Sequence, residues 1–291
     1  MNTAFLTPKL PRLPALVLLV STVAHAVPVA PETNNPAEKT ALETQVGQAL
    51  RAIYRDPKNL TNVVQSVQVI QTAAEQGLPL AEYDLAVCYD SGLGIAHDEK
   101  QAVALYEKAA RKGLAAAQFN LALSYLSTGQ GVQRNPELGV EWLRKAAEAG
   151  FPAAQNQLGA CYETGTGVEQ NDQSAFSWYE RAASQNLPKG LFNLGQCYLV
   201  GQGVKRDPRQ AVEYMRRSAD RGFFRAQYRL ALLFFQGVEV PRDDLQAYEY
   251  VLRASRGNNP HSMRLRNQIA AKLSPEQASS VQKKFAEWLN Q

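Results

Sequence analysis

From Leu78 onward, apolar positions return on a period of about 36 residues, dividing the chain into segments 78–113, 114–150, 151–186, 187–222 and 223–258. Four segments hold 36 residues and the second holds 37, the extra one falling before Gly129, in a loop where insertion is tolerated. Each segment opens on a small residue, a leucine, another small residue and an aromatic. These are Ala81, Leu85, Ala86, Tyr89; Ala117, Leu121, Ala122, Tyr125; Ala154, Leu158, Gly159, Tyr162; Gly190, Leu194, Gly195, Tyr198; and Ala226, Leu230, Ala231, Phe234. The spacing i, i+4, i+5, i+8 marks one face of a helix. Small residues beside large ones let a second helix approach while the leucine and the ring fill the gap.

A glycine-rich turn follows: Gly92 and Gly94, Gly129 and Gly131, Gly165 and Gly167, Gly201 and Gly203. Such glycines end the first helix and reverse the chain. They form no phosphate loop, which needs a third glycine and a preceding strand. The fifth segment keeps Gly237 but has Glu239 at the second glycine position, so its turn is expected to differ. Asp98, Asn135, Asn171, Asp207 and Asp243 then read as N-caps of second helices. Recurrence as Asp or Asn favours capping over acid-base chemistry. Gln101, Gln210 and Gln246, three residues on, suggest capping boxes. Pro136 and Pro208 suit the first helical position. Farther along, Leu105, Trp142, Trp178, Tyr214 and Tyr250 are equivalent. So are the small pairs Ala109-Ala110, Ala146-Ala147, Ala182-Ala183, Ser218-Ala219 and Ala254-Ser255. Gly113, Gly150 and Gly222 close three of these helices. No segment alternates with the period of a strand. The pattern specifies an all-α solenoid of stacked helix pairs.

The motif Ala-x3-Leu-(Gly/Ala)-x2-Tyr-x2-Gly-x-Gly-Val-x2-Asp-x2-Gln-Ala, closing on Ala-Ala-x2-Gly, resembles the Sel1-like repeat, a relative of the tetratricopeptide repeat. That resemblance implies a right-handed superhelix of antiparallel helix pairs. One pair cannot bury its own apolar face, so neighbours must stack and end pieces must cover the outer faces. A helical cap is expected over 41–77, from Leu42–Tyr54 and Val63–Gly77. A second is expected over 259–291, from Met263–Leu273 and Pro275–Leu289. Ser274, Pro275 and Gln277 mark a helix start there.

Outside the repeats, residues 1–26 read as a secretory leader. Lys9 and Arg12 precede the 11-residue apolar run Leu13–Val23, and Ala24-His25-Ala26 gives a cleavage pattern. The run is too short to span a membrane. Residues 27–40, with Pro28, Pro31 and Pro36, read as an extended, flexible segment. The leader and the repeat style together imply export, with the bacterial periplasm as destination. A eukaryotic secretory pathway is the alternative, in which Asn59-Leu-Thr61 would accept a glycan. The chain has 31 Lys+Arg and 27 Asp+Glu. With Lys9 and Arg12 removed, this leaves a net charge of +2, which argues against nucleic-acid binding through bulk charge.

Candidate chemistry is sparse. Cys88, Cys161 and Cys197 share one repeat position and read as reduced, buried thiols. Some exported relatives bridge their helices with a cysteine pair, but no second-helix cysteine exists here. His97 and His261 lack partners at metal-ligand spacing and read as surface loop residues, so no metal or cofactor is expected. Some exported members of the family are linked to β-lactamase or cell-wall chemistry, which makes an enzyme the alternative reading. Ser280-Val-Gln-Lys283 matches a Ser-x-x-Lys tetrad. It sits within an amphipathic helix, however, and Lys-Thr-Gly and Ser-Asp-Asn are absent.

The resemblance points instead to partner binding. In peptide-binding relatives the concave groove is lined by first-helix residues just before the anchor leucine and four earlier. Here the first set is Asp84, Asn120, Gln157, Asn193 and Arg229, and the second includes Lys189 and Arg225. Lys189, Asn193, Arg225 and Arg229 resemble the clamp by which some tetratricopeptide domains hold a C-terminal carboxylate. Leu126, Leu199, Leu232 and Phe235 could face the groove or pack between helices. The expectation is a monomeric, non-catalytic exported scaffold that holds a protein or peptide.

Overall fold

A computed structural model describes residues 36–128, 130–257 and 259–289. The leader read over 1–26, most of the 27–40 segment and Gly129 lie outside those residues. Fourteen α-helices follow in order. Two precede the repeats: α1 (Pro36–Arg55) and α2 (Leu60–Glu75). The repeats supply α3 (Pro79–Ser91), α4 (Glu99–Arg111), α5 (Ala115–Leu126), α6 (Pro136–Glu148), α7 (Pro152–Thr164), α8 (Asp172–Ser184), α9 (Pro188–Val200), α10 (Pro208–Asp220), α11 (Phe224–Gln236) and α12 (Asp244–Ala254). Last come α13 (Pro260–Ala270) and α14 (Pro275–Leu289). There is no strand among the described residues. None of these helices is long and apolar enough to cross a membrane.

Helix α1 corrects one expectation, because residues 36–40 are helical rather than extended. Pro36 has the fixed φ of a first helical turn and forfeits no hydrogen bond there. The helix it starts buries Val46, Ala49 and Ile53.

The chain forms two compact units that divide between Ala149 and Gly150. The first holds α1 to α6 and the second α7 to α14. Within each unit a first helix packs on the second helix of its own repeat, and that helix packs on the next repeat. The anchor leucines Leu85, Leu121, Leu158, Leu194 and Leu230 are all buried, each contributing roughly 1.5–3 kcal/mol. In the second helices the deepest position lies one residue beyond the equivalent set that begins with Leu105. Tyr106, Leu143, Tyr179, Met215 and Val251 are buried, whereas Trp142, Trp178 and Tyr214 are half-buried. The small pairs are buried. At Gly195 an added Cβ would come 2.9 Å from Met215 Cγ, so the close approach of α9 and α10 demands glycine.

All five expected N-caps accept hydrogen bonds from first-turn backbone N–H groups. The return bond to the cap N–H expected of Gln101, Gln210 and Gln246 does not form, although Gln246 Nε2 donates to the cap carboxylate, Asp243 Oδ2, at 2.7 Å. The cap's own backbone N–H is already committed to the anchor aromatic of the preceding helix. Asp98 donates to Tyr89 O at 3.1 Å, Asn135 to Tyr125 O at 2.8 Å and Asn171 to Tyr162 O at 2.9 Å. Asp207 donates to Tyr198 O at 2.8 Å and Asp243 to Phe234 O at 2.9 Å. One residue thus caps the second helix and ties it to the first. The reciprocal box does form at α14, where Ser274 N donates to Gln277 Oε1 at 2.9 Å and Gln277 N to Ser274 Oγ at 3.2 Å.

Buried amides join successive repeats. Gln118 donates to Ala110 O at 3.2 Å and Gln227 to Ala219 O at 3.0 Å, satisfying carbonyls at second-helix ends. Lys112 reaches Gly77 O at 2.8 Å and Glu82 at 3.1 Å; Gln185 reaches Gly150 O at 2.9 Å and Gln155 at 2.8 Å. An ion pair in one repeat is therefore an amide pair in another. The fifth turn departs from the others as expected, with Glu239 paired to Arg206.

Candidate partner-binding surface

The seven residues assigned to partner contact divide between the units. Asp84 and Asn120 belong to the first, while Gln157, Lys189, Asn193, Arg225 and Arg229 belong to the second. Asp84 does not line a groove: it is 3 % exposed, and its Oδ2 has no hydrogen-bond partner. Burial pushes its pKa from 3.8 up to about 8. Burial, and then the charge at Asp84, also raises Tyr54 and Tyr83 and pushes the Cys88 thiol up to about 12. Asn120 is half-buried beside the hydroxyls of Tyr83 and Tyr106. Both residues thus belong to the polar interior of the first unit. The cause is the N-terminal cap, since α2 packs on α3 and Tyr54 of α1 approaches Asp84.

In the second unit Lys189 and Arg225 are exposed on α9 and α11. Desolvation first, and then the neighbouring Arg225, lowers the Lys189 pKa. Neither cation has an acidic partner among the described residues. Asn193 and Arg229 lie one helical turn beyond them on the same faces. Asn193 donates to Asn156 Oδ1 at 2.8 Å, and the buried Nε of Arg229 has no acceptor. Gln157 is half-buried on α7. Leu199 is buried, and Leu232 and Phe235 pack on the same core, so these apolar residues serve cohesion.

The remaining candidates are quiet. All three cysteines are buried and free, and burial pushes Cys161 up to about 11 and Cys197 to about 12. His97 Nδ1 lies 3.0 Å from Tyr89 O. His261 stands in the first turn of α13 rather than in a loop. Ser280 and Lys283 are exposed on α14. No group of three or more His, Cys, Asp or Glu among the described residues could hold a metal.

One periodic feature escaped the sequence reading. A cation three residues after each second-helix aromatic lies over its ring: Lys145 over Trp142 at 4.0 Å, Arg181 over Trp178 at 4.5 Å, Arg217 over Tyr214 at 5.4 Å and Arg253 over Tyr250 at 5.5 Å. The aromatic-x-x-cation spacing was the available signal. At the end of the array Trp288 of α14 also covers Arg253, at 4.7 Å, so the cap borrows the same contact.

Stacked helix pairs with shared buried anchors and unshared surface charges define a helical-repeat protein. The Sel1 repeat model matches residues 79–114, 115–151, 152–187, 188–223 and 224–259, one residue later than the segments read from the pattern. The chain belongs to the Sel1 repeat family. It is similar to a Sel1 repeat protein from Oxalobacter formigenes, with 30% identity, a TM-score of 0.69, and coverage of 84% of this chain and 95% of that one. A protective antigen of uropathogenic Escherichia coli shares 26% identity with a TM-score of 0.52, over 87% of this chain and 62% of that one. An immunity protein of Pseudomonas aeruginosa is similar in fold at 19% identity and a TM-score of 0.51, over 85% and 88% of the two chains. Chitin synthase regulatory factor 3 of Schizosaccharomyces pombe is 30% identical over 99 residues. That stretch is 33% of this chain and 11% of the yeast protein. Sel1 repeat folds commonly serve as protein-interaction scaffolds.

Proposed function

We propose that the chain is an exported, monomeric scaffold of the bacterial periplasm that holds a protein partner without covalent chemistry. The first-helix surface of the second unit receives an anionic group of the partner, with a C-terminal carboxylate as the best fit. The observation that carries this reading is the pairing of Lys189 with Arg225, two exposed cations from different repeats with no acid between them among the described residues. Two like charges gathered without a counterion favour an incoming anion. Arg229 adds a guanidinium that can grip a carboxylate through two parallel bonds.

The test is capture from periplasmic extract by the tagged chain and by its Arg225→Glu/Arg229→Glu variant. The captured partner should be lost from the variant. A synthetic peptide of its last ten residues should then bind as the free acid and not as the C-terminal amide. Equal capture by both chains removes the anion site, and equal binding of acid and amide removes the terminal carboxylate.

A further inference from the structure

At the C-terminal end of the second unit a cleft of about 360 Å³ opens between the start of α11, the end of α12 and α14. Phe224, Gln227, Arg253, Arg256, Asn259 and Trp288 line it, with no carboxylate among the described lining residues. Arg253 is largely satisfied: its terminal nitrogens reach Asp220 at 3.0 Å and Glu249 at 2.6 Å. Its Nε is nevertheless buried without an acceptor. Arg256 is exposed and has no ion pair among the described residues, where it lies over the Trp288 ring at 5.6 Å. Phe224 is the first residue of α11, a helix whose first turn has neither a side-chain cap nor an acidic residue. The positive end of that helix therefore adds to the charge of Arg256.

We infer that this cleft is a second partner site, which takes an acidic residue of a peptide together with the apolar side chain beside it. The carboxylate pairs with Arg256 at the mouth, and the apolar neighbour lies between the rings of Phe224 and Trp288. The volume equals roughly a dozen waters, enough for one or two side chains of an extended segment. The aromatic walls add apolar contact that a bare inorganic anion cannot use, and the arginines disfavour a cationic peptide. The site shares no residue with the Lys189 and Arg225 surface and stands or falls independently of it.

The test uses the full chain and the indole N–H signals of its three tryptophans in a proton–nitrogen correlation spectrum, with Trp288 assigned through Trp288→Phe. The probes are a capped hexapeptide of alternating leucine and glutamate, its leucine–glutamine counterpart, and sodium phosphate. The glutamate peptide should shift the Trp288 signal and bind at least about tenfold more tightly than the glutamine peptide, as a charge-assisted contact implies. Arg256→Gln should erase that difference while leaving the thermal melt unchanged, and Arg256→Lys should keep part of it. A Lys189→Glu/Arg225→Glu variant should bind the peptide normally. Equal binding of the two peptides, a shift reproduced by phosphate alone, or no Trp288 shift at millimolar peptide would overturn the site. So would loss of binding in the Lys189→Glu/Arg225→Glu variant.

Discussion

A carboxyl buried like that of Asp84, with one oxygen unpartnered, is stable only while it holds its proton. Its pKa rises from 3.8 to about 8 on folding, so the native chain binds a proton that the unfolded chain releases. The contribution of Asp84 to stability is therefore full below about pH 4, declines as pH rises toward 8 and is lost above it. Urea denaturation at pH 5 and pH 8 should show this fall, and Asp84→Asn should flatten it and stabilise the chain at the higher pH. Parallel pH profiles for the two proteins would contradict the burial. What a single residue does was legible where five copies agree. Leu85, Leu121, Leu158, Leu194 and Leu230 all turned out buried. Asp84 was misread because its cover comes from the N-terminal cap, which has no counterpart in the repeats. Arg229, by contrast, remains partly exposed. Asn186 likewise escaped notice. It stands where three repeats have a closing glycine and is the only described non-glycine residue with positive φ, at 59°. Asn tolerates that region because its short side chain bonds locally.

At the scale of elements, helix starts were easy to read and their wiring was not. The cap residues were correct in all five repeats, yet the expected return bond from Gln101, Gln210 and Gln246 is pre-empted by the carbonyl of the preceding aromatic. That carbonyl comes from another helix, and sequence spacing within one helix cannot reveal it. The consequence is measurable. Asp98→Ala should cost about 1–2 kcal/mol in a thermal or urea melt, because first-turn donors lose their acceptor. Gln101→Ala should stay within about 0.5 kcal/mol, as for a surface substitution. Equal losses would mean that a capping box forms after all. At α14, where no preceding aromatic carbonyl takes the Ser274 N–H, the reciprocal box is present.

For the whole molecule, the repeat length and the all-helical class followed from the pattern alone, because an apolar period of 36 residues leaves few ways to bury one face. The partner surface did not follow so directly, since it consists of the residues that break the pattern. In a linear array each repeat is held by its neighbours, so removing a whole period preserves the packing and removing half destroys it. A chain lacking residues 188–223 should keep a cooperative melt and full helical circular dichroism per residue. One lacking 188–205 should lose both. A cooperative melt from the half-repeat deletion would show that the period is not the folding unit.

The division of labour between shared and unshared residues can be tested at the surface itself. The decisive measurement is the amount of periplasmic partner captured by three folded chains: the wild type, Lys189→Ala/Arg225→Ala/Arg229→Ala on the first helices, and Glu180→Ala/Glu213→Ala at two exposed positions of the second helices α8 and α10. Capture should fall at least about tenfold for the first-helix variant, the loss of roughly 1.4 kcal/mol or more of binding, and change less than about twofold for the second-helix variant. Undiminished capture by the first-helix variant, or a loss confined to the second-helix one, would contradict the account.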